Sequence, residues 1–399
     1  MVPRLEGFGR APRIHDSSTN SILSAEPSGV ATLYVCGITP YDATHIGHAA
    51  TYIAYDTLIR VWLDAGYDVN YVQNVTDVDD PLLERATATG VDWRDLAASQ
   101  VDLFRDDMQR LSVIPPQHYV GVTDNVAPIA VAVAALLENG FAYYVDDDVY
   151  FDNAAAAAAT SWHLGLESGL SPPEMLPLFA ERGGDPQRPG KRDILDPLLW
   201  RAARVGEPSW PTVLGEGRPG WHIECSVIAQ EYLQLPLTVN GGGIDLVFPH
   251  HEFTAGHTAA LTGRTHSHIY SHTALVSYQG AKMSKSLGNL VLVSRLVESG
   301  VDARAIRLAV LAHHYRAPWE WTDEVLAAAQ QRLSAWTRWA SNAQGSGGGL
   351  TAALRNTLAT DLDTPAAIAT VDAAVASGAA PSASDIQAVN ALLGIALSA

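Results

Sequence analysis

Apolar positions along this chain switch between two periods, and the switches outline a strand–helix–strand unit near the N-terminus. Residues 32–36, Thr-Leu-Tyr-Val-Cys, form a short unbroken apolar run and predict a buried strand. After a turn at 37–44, apolar residues recur at helical spacing over 46–65, and Gly66 ends the pattern. Residues 67–75 predict a second strand. Two strands joined through a helix by short connections predict a right-handed βαβ unit and a parallel sheet. Further helical patterns lie at 81–88 and 93–111.

Between 115 and 215 the pattern changes. An alanine-rich run at 154–159 is followed by a stretch rich in Gly and Pro, which predicts a subdomain inserted into the sheet domain. The α/β pattern resumes with a helix from Trp221, a strand near 237–240, a helix starting near His250 and a strand near 273–277. From 301 onward the pattern is helical, with a glycine-rich break at 345–349. The fold class expected is therefore α/β. A Rossmann-like parallel-sheet domain is split between 1–114 and 216–300, with an insertion at 115–215 and a C-terminal helical bundle at 301–399.

Composition narrows the function classes. With 47% apolar and 17% charged residues over 399 positions, the chain can bury a core and is not a solvating disordered segment. It has no apolar run of the length a membrane span needs, about 18 residues. Residues 1–28 carry no apolar segment flanked by basic residues, so neither a signal peptide nor a membrane partner is expected, and the expected setting is the cytoplasm. A formal net charge of -18 disfavours a chain that grips a long stretch of nucleic acid. The two cysteines, Cys36 and Cys225, are either inert buried thiols or partners at a metal.

Two motifs carry chemistry. His45-Ile46-Gly47-His48 lies between the first strand and the first long helix, where free N–H groups and a partial positive charge favour phosphate. Lys282-Met283-Ser284-Lys285-Ser286, flanked by Gly280 and Gly288, suits charge developing on a departing pyrophosphate. Each alone is also compatible with an ordinary surface loop. Together, in this order, they resemble the signature pair of class I aminoacyl-tRNA synthetases, which implies catalytic roles for His45, His48, Lys282 and Lys285. Asp77, Asp79 and Asp80 read more simply as the cap and acidic first turn of a helix than as a metal site.

The resemblance narrows to cysteinyl-tRNA synthetases. It rests on Tyr-Val-Cys-Gly at 34–37, Asn-Val-Thr-Asp-Val-Asp-Asp at 74–80, Gly-Glu-Pro-Ser-Trp at 206–210, Gly-Arg-Pro-Gly-Trp-His-Ile-Glu-Cys-Ser at 217–226 and Gly-Gly-Gly-Ile-Asp-Leu-Val-Phe-Pro-His-His-Glu at 241–252. It implies a Zn²⁺ held by Cys36, Cys225 and His250. Where the synthetases add a glutamate ligand this chain has Thr254, so a position is left for a substrate thiolate. It also implies that Trp221 joins the cysteine pocket. Strand ends are then expected to present Cys36, Gly37, Ile38 and Thr39 to the adenylate, together with Thr51 and Asn74, Val75 and Thr76. Gly243, Ile244, Asp245 and Val276 complete that expected set. No motif singles out His222, His257, His266, His268, His272, His313 or His314, and they are expected to be structural.

Two departures from those synthetases are informative. The turn reads Cys-Gly-Ile-Thr-Pro-Tyr-Asp, and the insertion carries Glu181-Arg-Gly-Gly-Asp-Pro186. Both resemble the mycothiol-pathway cysteine ligases, as do the chain length and the missing glutamate. Beyond 345 the only basic residue is Arg355, so an anticodon-binding module is not expected. The resemblance implies ATP with Mg²⁺, one Zn²⁺ per chain, L-cysteine, and glucosaminyl-inositol as amine acceptor, with no tRNA partner. The expected state is a monomer. Residues 181–186 are the candidate acceptor site, and Asp245 or the adenylate phosphate the candidate proton acceptor. Two alternatives stay open: a short cysteinyl-tRNA synthetase, and a non-catalytic sensor of cysteine or its adenylate, for which the motif lysines would have no use.

Overall fold

The strands expected at 32–36 and 67–75 are neighbours in a parallel sheet. The computed structural model describes residues 2–41, 44–283, 288–344 and 349–397. A hairpin of β1 (Arg13–Asp16) and β2 (Ser21–Ser24) precedes β3 (Ala31–Val35). Helix α1 (Ile46–Asp64) crosses to β4 (Val69–Val75), and α2 (Asp80–Thr89) and α3 (Trp93–Arg110) lead on to β5 (His118–Gly121). After α4 (Val126–Glu138) come β6 (Ala142–Val145), β7 (Asp148–Phe151), α5 (Asn153–Ala159) and α6 (Pro172–Glu181). They are followed by β8 (Leu198–Ala202), β9 (Trp210–Thr212), β10 (Gly215–Pro219) and α7 (Trp221–Tyr232). The chain then re-enters the first sheet through β11 (Val239–Gly243), α8 (Glu252–Thr262) and β12 (Tyr270–Thr273). The order across that sheet is β12-β11-β3-β4-β5, with every neighbouring pair parallel.

β5 pairs in register with β4, from Val72↔His118 to Val75↔Gly121. An insertion beginning at 115 therefore starts too early. A four-residue strand has no periodicity of its own, and its partner lies far away in sequence. The inserted antiparallel sheet, β6-β7-β8-β10-β9, runs from Ala142 to Pro219.

Past β12, β13 (Val276–Tyr278) and β14 (Ala281–Lys282) form a short hairpin that ends at the first motif lysine. Helices α9 (Val293–Glu298) and α10 (Ala303–Leu311) come next, then β15 (Trp319–Trp321), which pairs parallel with β13. The region after 301 is thus not wholly helical. It ends in α11 (Asp323–Ala340), α12 (Gly349–Leu358), α13 (Thr364–Ala376) and α14 (Ala383–Leu393). The glycine-rich break lies almost wholly outside the described residues. No helix is long and apolar enough to cross a membrane among the described residues.

Helix α1 is buried nearly all round, which explains its lack of a polar face. Gly66 closes it at φ +89, a conformation that favours glycine, with Gly66 N donating to Leu63 O and Tyr67 N to Trp62 O. On its underside Asp56 accepts from Arg60 Nε at 2.7 Å and from Arg307 of α10. Arg307 also donates to Leu393 O of α14, and Arg60 to Asn390 O and Ala391 O. Burial alone pushes the Asp56 carboxyl up, but the Arg307 and Arg60 charges hold it below its ordinary value. Its stabilising contribution is full above the usual carboxylate range, about pH 4, and is lost as pH falls through the lower folded pKa. Asp56→Ala strands two buried guanidinium groups. The expected loss is about 3–5 kcal/mol, read as a fall in the denaturant midpoint; an unchanged midpoint contradicts the assignment.

Candidate active site

The site forms where β3 leaves the sheet. Cys36 N donates to Gly241 O at 3.1 Å on the β11 side, and Gly37 N donates to Asn74 Oδ1 at 2.8 Å on the β4 side. Thr76 N donates back to Ile38 O at 3.0 Å, and Asn74 Nδ2 donates to Thr76 Oγ1 at 3.2 Å. A Cβ on Gly37 would lie 1.6 Å from Asn74 O, so only glycine fits this crossing. On the other flank a Cβ on Gly241 would meet the Tyr55 ring at 2.5 Å. The space it leaves lets Tyr55 Oη accept from Gly242 N at 2.8 Å and donate to Ser271 O at 2.5 Å.

This geometry points Cys36 at the N-terminal turns of α7 and α8. Cys36 Sγ is 4.0 Å from Cys225 Sγ, and Cys225 Sγ is 3.1 Å from His250 Nε2. The three donor atoms lie within 4.8 Å of one another, and all three residues are buried. A tetrahedral Zn²⁺ with ordinary bond lengths holds such donors about 3.5–3.8 Å apart, so thiolate, thiolate and imidazole fit that ion in type and spacing. Thr254 takes no part. Its Oγ1 donates to His222 O at 3.2 Å, so the position that bears a glutamate in the synthetases serves the helix backbone here.

The electrostatics are those of two neighbouring thiols. Burial, then the hydrogen bond and charge of Cys225, push the Cys36 thiol up. Burial also raises Cys225, but hydrogen bonding from Cys36 and the His250 charge outweigh it and pull that thiol well below its ordinary value. One thiolate is therefore favoured even before a cation is considered.

Sequence reasoning read His222 and His272 as structural and gave His251 no role, yet all three lie behind the candidate ligands. His222 Nδ1 lies 3.1 Å from His250 Nδ1. With Nε2 on a metal, His250 would carry its proton on Nδ1 and donate it to a neutral His222. Burial, then the His250 charge, holds His222 well below the usual imidazole range, in agreement. His251 Nε2 lies 3.2 Å from Cys36 Sγ, and its Nδ1 is 2.8 Å from His272 Nε2. The available signals were weak: His222 precedes Cys225 by three positions on one helix face, and His251 adjoins His250. Trp221, the first residue of α7, stacks on His250 with ring centroids 4.5 Å apart.

The other motif residues gather on the β11 side. His45 caps α1 by accepting from Gly47 N at 3.0 Å, and it stacks on His48 at 3.9 Å. Burial, then the charges of His45 and Lys282, keep His48 well below the usual imidazole range and hence neutral. Thr51 Oγ1, one turn further along, meets Thr273 Oγ1 at 2.9 Å. Gly243 ends β11, and the turn of Ile244 and Asp245 follows, with Lys282 Nζ 3.2 Å from Asp245 Oδ2. Val276 is buried at the start of β13, whereas Thr39 is half-buried in the turn after β3. Lys285 lies outside the described residues. Asp79 caps α2 and Asp80 occupies its first turn, as expected of a helix start.

The candidate acceptor loop at 181–186 is largely occupied. Arg182 Nη1 donates to Asp245 O at 2.6 Å and to Phe248 O, clipping the insertion to the turn that carries Asp245. Asp185 accepts from Tyr150 and pairs with Lys191.

Comparison with known proteins agrees with this geometry. Residues 23–331 match the family described as tRNA synthetases class I (C) catalytic domain, and the chain belongs to that family. Within it, the protein from Clavibacter michiganensis subsp. michiganensis (strain NCPPB 382) named L-cysteine:1D-myo-inositol 2-amino-2-deoxy-alpha-D-glucopyranoside ligase is 59% identical, over 100% of this chain and 97% of its own. The protein of the same name from Clavibacter sepedonicus is 60% identical over 96% and 98% of the two chains. The chain is accordingly an enzyme of the ligase class. Among solved structures, Mycobacterium tuberculosis methionyl-tRNA synthetase in complex with methionyl-adenylate superposes with a TM-score of 0.59 at 16% identity, covering 87% of this chain and 82% of that one. That likeness shows the fold.

Cys36→Ser, Cys225→Ser and His250→Ala are each expected to bring bound zinc below one equivalent in metal analysis of the purified protein. Full zinc in all three variants removes the site.

Proposed function

We propose that this enzyme joins L-cysteine to the amine of glucosaminyl-inositol at the expense of ATP, through a cysteinyl adenylate, releasing AMP and pyrophosphate. The observation that carries the reading is the meeting of Cys36, Cys225 and His250 at a strand end whose other flank holds His45, His48 and Lys282. The names and identities of the relatives support the choice of acceptor.

In the first step a carboxylate oxygen of cysteine attacks the α-phosphorus of Mg-ATP. A new O–P bond forms and pyrophosphate leaves with the electron pair. The α1 N-terminus and neutral His48 offer hydrogen bonds, His45 orders that turn, and Lys282 and Lys285 neutralise the charge as it develops. In this reading Lys282 leaves Asp245 for the triphosphate, and Thr51, Gly243, Ile244 and Val276 contact the nucleotide. On the β4 side, Gly37, Ile38, Thr39, Asn74, Val75 and Thr76 line the cysteinyl group, with Trp221 closing the pocket.

Cys36, Cys225 and His250 would hold a Zn²⁺, and the ion would supply a borderline-soft Lewis acid that favours a thiolate over the hydroxyl of serine. His222 fixes the tautomer of His250, and Thr254, being no ligand, leaves room for the substrate sulfur.

In the second step the acceptor nitrogen attacks the carbonyl carbon. A C–N bond forms, the C–O bond to AMP breaks, and the amine proton passes to Asp245 or to the departing phosphate. An acidic chain suits a small amine acceptor better than tRNA.

The reading is tested by following AMP release with ATP, Mg²⁺ and cysteine, with glucosaminyl-inositol or tRNA supplied as acceptor. Turnover with the aminosugar alone is expected; turnover with tRNA alone replaces the reading by that of a short cysteinyl-tRNA synthetase. Lys282→Ala is expected to slow cysteine-dependent ATP–pyrophosphate exchange by about 10²–10³-fold while bound zinc stays constant. A sensor would show no exchange to lose.

A further inference from the structure

A second opening lies along the same edge of the sheet. A cavity of about 490 Å³ sits at the C-terminal ends of β4 and β5, between α3 and the inserted sheet. That is within the range of roughly 300–1,000 Å³ typical of small-molecule sites.

Its place in the strand order is the first argument. Ligands of open parallel sheets bind outside the carboxyl ends of the strands. Across this sheet the Asp245–Lys282 side belongs to β11, and Cys36 belongs to β3. The cavity comes next, at β4 and β5, about one to two strand spacings from β3, or roughly 5–10 Å. Val75 ends β4 and lines the cavity. An acyl group held at β3 thus has its leaving group on one side and this cavity on the other.

The chemistry of the lining is the second argument. Trp93 of α3 meets Trp210 of β9 edge to face, with centroids 6.3 Å apart. Arg94 lies 4.2 Å over the Trp93 ring, and Arg105 lies 4.8 Å over Tyr119. Among the described residues neither guanidinium makes an ion pair, so their forked donors are not already spent on carboxylates. Asp102 stands exposed at the rim. Deeper in, Asp77 accepts from Thr123 N at 2.9 Å and from Thr123 Oγ1 at 2.6 Å. Aromatic surfaces suit the C–H faces of a saturated ring, and guanidinium forks and carboxylates suit neighbouring hydroxyls.

We propose that this cavity is the acceptor site, holding the cyclic-polyol body of the amine substrate with Trp93 and Trp210 against its rings and Arg94, Arg105 and Asp102 on its hydroxyls. The amine then projects past Val75 towards the acyl group at β3. This assignment rests on the amide-forming reading above, and it moves the acceptor away from the occupied loop at 181–186.

The test separates the two half-reactions in Trp93→Ala, Arg105→Ala and Asp102→Asn. Cysteine-dependent ATP–pyrophosphate exchange without acceptor reports the adenylate, and amide formation reports the acceptor. The KM for glucosaminyl-inositol is expected to rise about tenfold or more in Trp93→Ala and Arg105→Ala, with exchange and the KM for cysteine and ATP unchanged. The two charged positions are exposed, so their variants keep the test decisive should Trp93→Ala lose its fold. Unchanged acceptor KM in Arg105→Ala and Asp102→Asn overturns the site while leaving the proposed reaction intact. Exchange without amide formation in the unsubstituted enzyme overturns the reaction itself, and the site with it.

Discussion

The chemistry depends on how closely three backbones approach one another at the end of β3. Gly37 passes Asn74 O at a distance no side chain tolerates, and Cys36 N is bonded to Gly241 O on the opposite flank. Those two contacts leave the Cys36 side chain one way to point, into the apolar face built by α7 and α8. Tyr55 has a similar part on the other face, its hydroxyl held between Gly242 and Ser271 in space that a side chain at Gly241 would fill. The Cys36 thiol is thereby oriented by backbone geometry, on a rigid strand end.

From that point the two flanks of the strand end take on opposite electrostatic characters. The thiols of Cys36 and Cys225 and the histidines behind them are buried. The Lys282–Asp245 pair and the start of α1 lie at a partly open rim. A single crevice can therefore hold a neutral imidazole such as His48 and a half-exposed lysine a short distance apart. Arg182, at the end of α6, ties the insertion to the Asp245 turn.

Much of this was legible in the sequence, for identifiable reasons. The first βαβ unit announced itself because α1 is long and β3 uninterrupted. The grouping of Cys36, Cys225 and His250 as a candidate metal site was reached through motif resemblance, since nothing in their spacing says that they meet. β5 was assigned to the wrong layer because four residues carry no period, and β15 was hidden in a helical stretch for the same reason. His222 and His272 were read as structural and His251 was passed over, because a residue that acts through a tertiary contact leaves no local pattern. Arg182 was noticed within its motif, but its acceptors are carbonyls, and no side chain marks a carbonyl in a sequence.

The charge cluster beneath α1 has a consequence for how the protein comes into being. Arg60 is satisfied in part by the carbonyls of Asn390 and Ala391, 330 and 331 residues further along the chain. Arg307 likewise waits for Leu393 O. During synthesis the helix bearing the first signature motif is complete long before the segment that satisfies its underside exists. Until α14 has been made, a guanidinium destined for the interior must keep water about it, so α1 cannot settle fully on its sheet. Contacts of such long sequence separation carry a loop-closure cost that is met before they stabilise anything, so the docking of α1 on its sheet waits on the far end of the chain.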